Sequence, residues 1–227
     1  MGQPRLRHAL LEGERILLRP ISARDAERAF GVLHGRREIL DWLAWSGPHS
    51  LAEVAEHYAR WRRASESGDD YQFAVVERAS AVFSGSIAVR FAGHPFNANL
   101  GYWIDPERWG RGYASEAIRL ATWLAFARLE SVLAYAHLDV ENHGSRRALE
   151  KSGFAEDCIT TKEFPSGARR VRNLSLSRTG FARAFGGWSP PCAEVELEPR
   201  EPPSAPAVGL VRLPPASSAP PEPTPEA

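Results

Sequence analysis

A stretch in the middle of the chain joins a strand pattern directly to a helix pattern. Residues 100–104 are apolar and aromatic, which is typical of a strand. Pro106 ends this strand, because proline has no N–H to donate to a central β-ladder. Gly110 and Gly112 follow, and from Ala114 onward small and apolar residues recur at helical spacing. The stretch therefore predicts a strand, a glycine turn and the first turn of a helix.

A turn of this kind presents backbone N–H groups to which an anion can bind. The first turn of a helix leaves several backbone N–H groups unpaired, and the helix dipole adds partial positive charge there. Glycines at positions 110 and 112 allow an anion to approach this backbone closely. A phosphate or pyrophosphate is the expected guest. A Gly-x-Gly turn before a helix is also found as a simple tight connection, and the turn alone does not separate the two interpretations.

The full sequence of the stretch is more specific than the glycine turn alone. Residues 101–117 read Gly-Tyr-Trp-Ile-Asp-Pro-Glu-Arg-Trp-Gly-Arg-Gly-Tyr-Ala-Ser-Glu-Ala. This sequence resembles the acetyl-CoA signature of the GNAT acetyltransferase superfamily, in its RimJ/RimL-type branch. The family's loop is written Gln/Arg-x-x-Gly-x-Gly/Ala, and this chain departs from it with Glu107 at the first position. The resemblance implies that acetyl-CoA is bound through Ile104, Trp109, Gly110, Arg111, Gly112, Tyr113 and Ala114.

A second motif follows after one predicted helix and one predicted strand. Asn142 and Ser145 stand at the start of a helix pattern that finishes in Leu-Glu-Lys-Ser-Gly-Phe at residues 149–154. On local grounds alone, Asn142 is a helix N-cap and Ser145 is an ordinary first-turn residue. The same residues also resemble the second cofactor-proximal motif of the GNAT family. That resemblance implies that Asn142 contacts the pantetheine arm or a bound water and that Ser145 lies near the thioester sulfur.

The resemblance implies direct transfer of an acetyl group from a thioester to an amine. The acetyl oxygen needs an N–H donor, which a backbone amide of residues 102–104 supplies if this strand splays from its neighbour. We expect Ser145 to protonate or hydrogen-bond the departing thiolate. Glu163 matches the position of the carboxylate base in RimL-like proteins when one residue is deleted after Phe154. A water acting as base, with Glu163 a solvated carboxylate, is the other interpretation.

The acceptor amine is open to three hypotheses. The leading interpretation is an N-acetyltransferase that acts on the N-terminal α-amine of a protein or peptide. A small-molecule amine, such as an antibiotic, a polyamine or an amino acid, is the alternative acceptor. A domain without catalysis that binds acyl-CoA as a sensor or adaptor is the third. The histidines are scattered without the spacing of metal ligands and give no further guidance.

The order of the patterned segments predicts an α+β fold. It runs strand, two or three helices, three antiparallel strands, helix, strand, helix and two strands. This order matches the GNAT fold, and the resemblance covers roughly residues 12–180. It implies a central sheet that is mixed, mostly antiparallel and flanked by helices.

Composition divides the chain near Trp188. Of the 18 prolines, 12 lie in residues 188–227, where large apolar side chains are few. Such a segment buries too little apolar surface to offset its ordering entropy. We therefore predict one acetyltransferase domain over residues 1–187 and a disordered tail over residues 188–227. Six Glu and two Arg give the tail a net charge of −4 and leave +4 on the domain, a bias that suits an anionic cofactor.

Several partners and compartments are disfavoured by composition. With 28 basic and 28 acidic residues, the net charge gives no reason to expect a nucleic acid or an anionic membrane surface. The two cysteines, Cys158 and Cys192, make neither a disulfide framework nor a zinc site, and they fit a reducing cytoplasm. No apolar run approaches the roughly 20 residues that span a bilayer. We expect a cytoplasmic monomer or homodimer that uses acetyl-CoA and no metal.

Overall fold

The structure, a computed structural model, describes residues 5–43, 46–68, 70–91, 94, 96–164 and 167–198. Its strands are β1 (Arg5–Glu12), β2 (Ile16–Pro20), β3 (Asp70–Glu77), β4 (Phe83–Arg90), β5 (Asn97–Ile104), β6 (Leu133–Asp139), β7 (Ala155–Phe164), β8 (Gly167–Ser177) and β9 (Cys192–Glu198). Its helices are α1 (Ala26–Leu33), α2 (Arg37–Leu40), α3 (Leu51–Ser67), α4 (Tyr113–Ala127), α5 (His143–Lys151) and α6 (Arg178–Phe185).

The strands form one sheet in the order β7-β8-β6-β5-β4-β3-β2-β1-β9. β5 and β6 run parallel, and every other neighbouring pair runs antiparallel. The parallel ladder joins residues 97–99 to residues 133–135 and ends there. β5 nevertheless continues to Ile104 and β6 to Asp139, each still paired with its antiparallel neighbour. The two strands therefore diverge and open a gap in the middle of the sheet.

Alternation along the strands sorts the side chains onto two faces. On one face, α4 and α5 cover the main core, in which Leu100 and Leu138 pack in the same cluster as Leu149. On the other face, α1 and α3 cover β3, where Ala74 packs in a second cluster with Val54. The gap between β5 and β6 therefore connects two faces of the sheet that are covered by different helices.

The predicted α+β class is confirmed, because the sheet is mixed, mostly antiparallel and flanked by helices. The predicted N-cap of α5 is also confirmed, since the Asn142 Oδ1 accepts the N–H of Ser145 at 2.9 Å. β7 and β8 form the last predicted hairpin. Residues 165–166 of its turn lie outside the described residues.

The predicted disordered tail is wrong for residues 192–198. These residues form β9, which pairs antiparallel along β1, and Trp188 packs against the main core. Val195 and Leu197 alternate with glutamates, which is the period of a half-buried strand, and both pack against the main core. The proline-rich composition of the whole segment hides this short pattern. Disorder of residues 199–227 stays a prediction, because they lie outside the described residues.

β1, the partner of β9, is also missing from the sequence interpretation. Its register against β9 shifts between Leu6 and His8. The buried residues are consequently Leu6, Ala9 and Leu11, which do not follow a strict period of two. A strand with such an irregularity lacks the alternating pattern by which strands are recognised in a sequence.

Truncation after Gly187 removes β9 and leaves β1 as an open edge. We expect the melting temperature to fall by about 4–8 °C, which corresponds to about 2 kcal/mol in a domain of this size. The reason is the loss of seven cross-strand pairs and of the contacts that Val195 and Leu197 make with the core. Truncation after Glu198 keeps β9 and should leave the melting temperature unchanged. Thermal unfolding followed by circular dichroism measures both, and equal melting temperatures for the two truncated chains would mean that β9 does not stabilise the domain.

Candidate active site

The gap between β5 and β6 opens into a cleft of about 900 Å³. Its walls come from β5, β6, α3, α5, the loop before α4 and the ends of β7 and β8. The volume is within the range of cavities that bind small molecules and cofactors. Because the cleft passes through the sheet, its two halves are built from the two different faces.

The loop between β5 and α4 closes one end of the cleft. Gly110 and Gly112 have φ angles of +78° and +83°, in the left-handed region that favours glycine. A Cβ at either position would meet no atom within 4 Å, so the space above both glycines is open. Gly112 is the N-cap of α4 and has no side chain with which to cap it. The first amides of α4 are therefore available to an anion.

Glu77, at the end of β3, fixes this loop from its outer side. Its carboxylate accepts hydrogen bonds from Ser80, from Tyr113 at the start of α4 and from Arg108 in the loop. These hydrogen bonds lower the pKa of Glu77 to about 2, so the carboxylate is charged at neutral pH. One acidic group thus ties β3 to both ends of the loop.

The backbone of β5 presents polar groups to the gap. The N–H of Asp105 donates to the carbonyl of Ser84 in β4 at 2.8 Å. Because N–H groups alternate between the two sides of an antiparallel strand, those of Ile104 and Tyr102 point away from β4 and into the gap. The Ile104 carbonyl points the same way and accepts a hydrogen bond from the Trp109 indole at 2.8 Å. Two amides of β5 are consequently placed to donate to a ligand in the gap.

α5 places Asn142 and Ser145 beside the gap into which the β5 amides point. Asn142 caps the helix with its Oδ1, as local reasoning alone also predicts. The Ser145 hydroxyl lies 2.7 Å from the Tyr102 hydroxyl of β5. Burial raises the pKa of Tyr102 to about 12, which keeps this phenol protonated at neutral pH. The helix cap therefore also positions a pair of hydrogen-bonded hydroxyls beside the gap.

The other face of the sheet carries cationic and aromatic side chains into the cleft. β4 and β8 contribute Arg90 and Arg169, and β6 and β7 contribute His137 and Lys162. Burial lowers the pKa of Lys162. α3 adds the indole of Trp61. This half of the cleft is chemically distinct from the half that holds the hydroxyl pair.

The structure brings most of the predicted site residues together. Those that line the cleft are Ile104, Trp109, Gly110, Gly112, Tyr113, Ala114, Asn142 and Ser145. The side chain of Arg111 instead lies 3.6 Å from the Glu77 carboxylate and donates to the Glu107 carbonyl at 3.3 Å. The Arg111 side chain is therefore directed to the loop and to Glu77, away from the cleft.

Glu163 is not brought to the cleft. Its neighbours in β7, Lys162 and Phe164, both line the cleft. Successive side chains of a strand point to opposite faces, and the Glu163 side chain is exposed on the other one. A one-residue shift in alignment moves a strand residue to the wrong face, which explains the mismatch. The structure gives no support to Glu163 as a base.

The sequence alone does not indicate a chemical role for two cleft residues, Tyr102 and His137. Tyr102 belongs to the recognised motif, but its aromatic neighbours make it look like an ordinary core residue of a strand. His137 alternates with Ala136 and Leu138, and this alternation correctly indicates that the histidine faces away from the main core. The signal for both residues is the alternation of side chains between the two faces of a strand. This alternation does not tell which face of the sheet borders a cleft.

Three further properties of the described residues bear on the chemistry. No group of three or more His, Cys, Asp or Glu within them is arranged to hold a metal ion. Cys158 and Cys192 are free thiols. Over the same residues, no helix has both the length and the apolar character needed to cross a membrane.

Known proteins resemble this chain over most of the domain. The sequence model of the family described as "Acetyltransferase (GNAT) domain" matches residues 15–155. The curated "Probable N-acetyltransferase YjcK" of Bacillus subtilis (strain 168) is 25% identical over 158 residues, which cover 67% of this chain and 87% of that protein. These matches include both the loop before α4 and the start of α5.

Solved structures resemble the fold. The structure of spermidine N-acetyltransferase from Vibrio cholerae with CoA and spermine is 21% identical, with a TM-score of 0.64 over 74% of this chain and 99% of that one. The structure of RimL, a ribosomal L7/L12 α-N-protein acetyltransferase, with coenzyme A is 16% identical, with a TM-score of 0.66 over 74% and 97% of the two chains. At these identities the likeness concerns the fold alone. Because the family match spans more than half of the chain and includes the loop and helix that build the cleft, this protein belongs to the GNAT acetyltransferase family.

Proposed function

We propose that this protein transfers the acetyl group of acetyl-CoA to the N-terminal α-amine of a protein or peptide. The observation that carries the proposal is the gap between β5 and β6, because it joins two chemically different halves of one cleft. The cofactor half is lined by Tyr102, Ile104, Trp109, Gly110, Gly112, Tyr113, Ala114, Ser115, Asn142, His143, Gly144, Ser145, Arg147, Ala148 and Lys151. The acceptor half consists of Trp42, Tyr58, Trp61, Arg90, His137, Lys162, Phe164 and Arg169.

The cofactor half fits a thioester ligand that carries phosphates. The open backbone at Gly110 and Gly112 and the free start of α4 favour a pyrophosphate. Arg147 and Lys151, one turn apart on α5, line the same half and add positive charge. Coenzyme A is present in both of the related solved structures described above. Bound in this way, acetyl-CoA supplies the activated acetyl group.

The hydroxyl pair is suited to the leaving group. A thiol has a reference pKa of about 8.5, so a departing thiolate needs only a weak proton donor or a hydrogen bond. The Ser145 hydroxyl supplies it, and the protonated Tyr102 hydroxyl, 2.7 Å from that of Ser145, is placed to replace the proton that Ser145 gives up. The N–H groups of Ile104 and Tyr102 point into the gap, where negative charge develops on the acetyl oxygen.

Charge in the acceptor half favours a peptide over a polyamine. Arg90, Lys162 and Arg169 line it, Asp139 and Glu141 are the carboxylates that line the described cleft, and Asp70 lies 3.4 Å from Arg90. A polycation would meet like charge, whereas an N-terminus followed by neutral or acidic residues would not. The aromatic side chains of α3 and of the segment before it provide flat apolar surface for the first side chains of a peptide. These features support the N-terminal acceptor over a small polyamine.

Acceptor classes can be compared by the release of free thiol from acetyl-CoA. We expect kcat/KM for peptides with a free Ser or Ala N-terminus and acidic residues behind it to exceed that for spermidine by at least about 10-fold, since about 1.4 kcal/mol of unfavourable charge contact gives that ratio. Matched peptides with a blocked N-terminus and one lysine should be slower, because the lysine amine of pKa about 10.4 is far less deprotonated at pH 7. A higher kcat/KM for spermidine or an aminoglycoside would identify a small-amine enzyme instead.

Gly112→Glu places a carboxylate at the proposed pyrophosphate site. We expect acetyl-CoA affinity, measured by calorimetry, to fall by at least about 100-fold, because two like charges about 4 Å apart oppose each other by several kcal/mol near a protein surface. Gly35→Glu is the matched control, since Gly35 also has a positive φ of +71° and open space around it but lies in an exposed turn. Equal affinity in the two variants would remove the loop from the binding site.

Ser145→Ala and Tyr102→Phe test the hydroxyl pair. We expect Ser145→Ala to lower kcat by about 10–100-fold, at or below the lower end of general acid catalysis, with acetyl-CoA affinity nearly unchanged. Tyr102→Phe should lower kcat less, because it acts only through Ser145. The double variant should lose little more than Ser145→Ala, since the two hydroxyls act as one unit. Fully additive losses would show that the two hydroxyls act independently.

A further inference from the structure

The acceptor amine must lose a proton before it attacks, and Glu163 lies on the wrong face of β7 to accept it. The group that accepts this proton must lie in the acceptor half, so its identity rests on the proposed function. An α-amine with a reference pKa of about 8 is mostly an ammonium at pH 7, so the base has only to be modest in strength. It must, however, be neutral at that pH and must border the gap.

His137 lies on β6 at the point where this strand borders the gap. The ladder between β5 and β6 ends at the pair Asn99 and Tyr135. The next residues on the same face are Gly101 of β5 and His137 of β6, because both strands keep their alternation. Gly101 has no side chain, and the partly exposed His137 ring lines the cleft. The ring therefore stands at the edge of the gap on the acceptor face.

The ring is held in one tautomer by Asn173 of β8. The Asn173 amide nitrogen donates to the Cys158 carbonyl at 3.2 Å and to the Thr160 hydroxyl at 3.0 Å. A carbonyl only accepts, so this nitrogen must face Cys158 and the Asn173 oxygen must face His137. That oxygen lies 2.7 Å from Nδ1 of His137, so Nδ1 carries the proton. In the neutral ring, the lone pair is then on Nε2.

We propose that Nε2 of His137 accepts the proton that the acceptor ammonium loses. One N–H bond of the ammonium breaks and the proton joins Nε2, giving an imidazolium that passes it to water. The freed lone pair forms the C–N bond to the acetyl carbon while the C–S bond breaks. The thiolate takes a proton from Ser145, the nitrogen loses its surplus proton to water, and water restores the hydroxyl pair through Tyr102.

Desolvation and the neighbouring charges keep His137 neutral. Partial burial lowers the pKa of His137, and Lys162 of β7 lowers it further, while the hydrogen bond to Asn173 opposes both. On the β5 side, the Arg90 guanidinium lies over Gly101, where a Cβ would be 2.7 Å from its Nη1. Asp139 is the carboxylate nearest along β6. His137 is consequently in its basic form at pH 7 and becomes charged only as the pH falls below its ordinary range.

Other titratable groups of the cleft are engaged elsewhere. Asp139 accepts the N–H of Glu141 at 3.0 Å and so shapes the turn after β6. His143 and Glu141 lie 3.9 Å apart on the exposed start of α5. His57 belongs to α3, where its ring packs 5.6 Å from Trp61, and not to a strand that borders the gap. His137 is the histidine of the described cleft that a neighbouring strand orients toward the gap.

The test compares His137→Gln with wild type in acetyl transfer between pH 6 and 9, using the best acceptor of the panel. We expect kcat at pH 7 to fall by about 10–100-fold. The difference should shrink to a few-fold at pH 9, because an α-amine is already deprotonated there. His8→Gln, on β1 and away from the cleft, is the matched control and should leave kcat unchanged. A wild-type pH profile in His137→Gln would overturn the proposal.

Asn173→Asp keeps the size of the partner and tests the mechanism if His137→Gln does not fold. A charged partner raises the pKa of His137, so the low-pH limb of the rate profile should move to higher pH. Nitrogen NMR of wild type labelled at the histidine rings should show Nδ1 protonated and Nε2 unprotonated at pH 7.5, and the opposite tautomer would also overturn the proposal. Activity with a small amine but not with peptides would refute the proposed acceptor, while the His137 profile measured with that amine would still decide the base.

Discussion

The fold depends on the point at which β5 and β6 stop pairing. Up to Asn99 and Tyr135 the two strands share a parallel ladder, and beyond that each keeps only its antiparallel neighbour. Backbone polar groups inside a protein normally need partners, so such an opening is costly unless something else meets the exposed groups. The Trp109 indole meets the Ile104 carbonyl at 2.8 Å. The amides that point into the same opening are placed to donate to a ligand, and in the proposed function this defect in the sheet is therefore also the binding site.

The elements around the opening are held across it by the hydrogen bond between Tyr102 of β5 and Ser145 of α5, and from outside by two carboxylates. Glu77 ties the loop before α4 to β3 through Tyr113 and Arg108. The buried Glu116 of α4 accepts the Arg15 N–H at 2.9 Å and so fixes this helix to the turn between β1 and β2. A Cβ on Gly13 would lie 2.0 Å from the Glu116 carboxylate, which explains the glycine in that turn. Because the two carboxylates lie away from the gap, the cleft can stay open without loosening the sheet.

The cofactor half was accessible from the sequence because its residues are close in the chain. The stretch around Gly110 and Gly112 and the start of α5 each combine a strand end with a helix start, and both patterns are local. The residues of the acceptor half were not accessible in this way. Glu163 and Lys162 differ by one position in β7, and only the register with β8 tells which of them faces the cleft. β9 was hidden for a related reason, because its alternation is short and its partner β1 contains an irregularity.

The acceptor half is assembled from residues that are far apart in sequence, and this difference has a functional meaning. Trp61, Arg90, His137 and Lys162 come from four separate elements, so each can change without disturbing the loop before α4, which is the proposed phosphate site. Two solved structures with this fold carry names that imply a polyamine and a ribosomal protein as acceptors. A fold that keeps the thioester side local and spreads the amine side over many elements permits such variety. In the proposed function, the acceptor of this protein is consequently determined by the charges and aromatic rings of its own acceptor half, and not by the fold that it shares with its relatives.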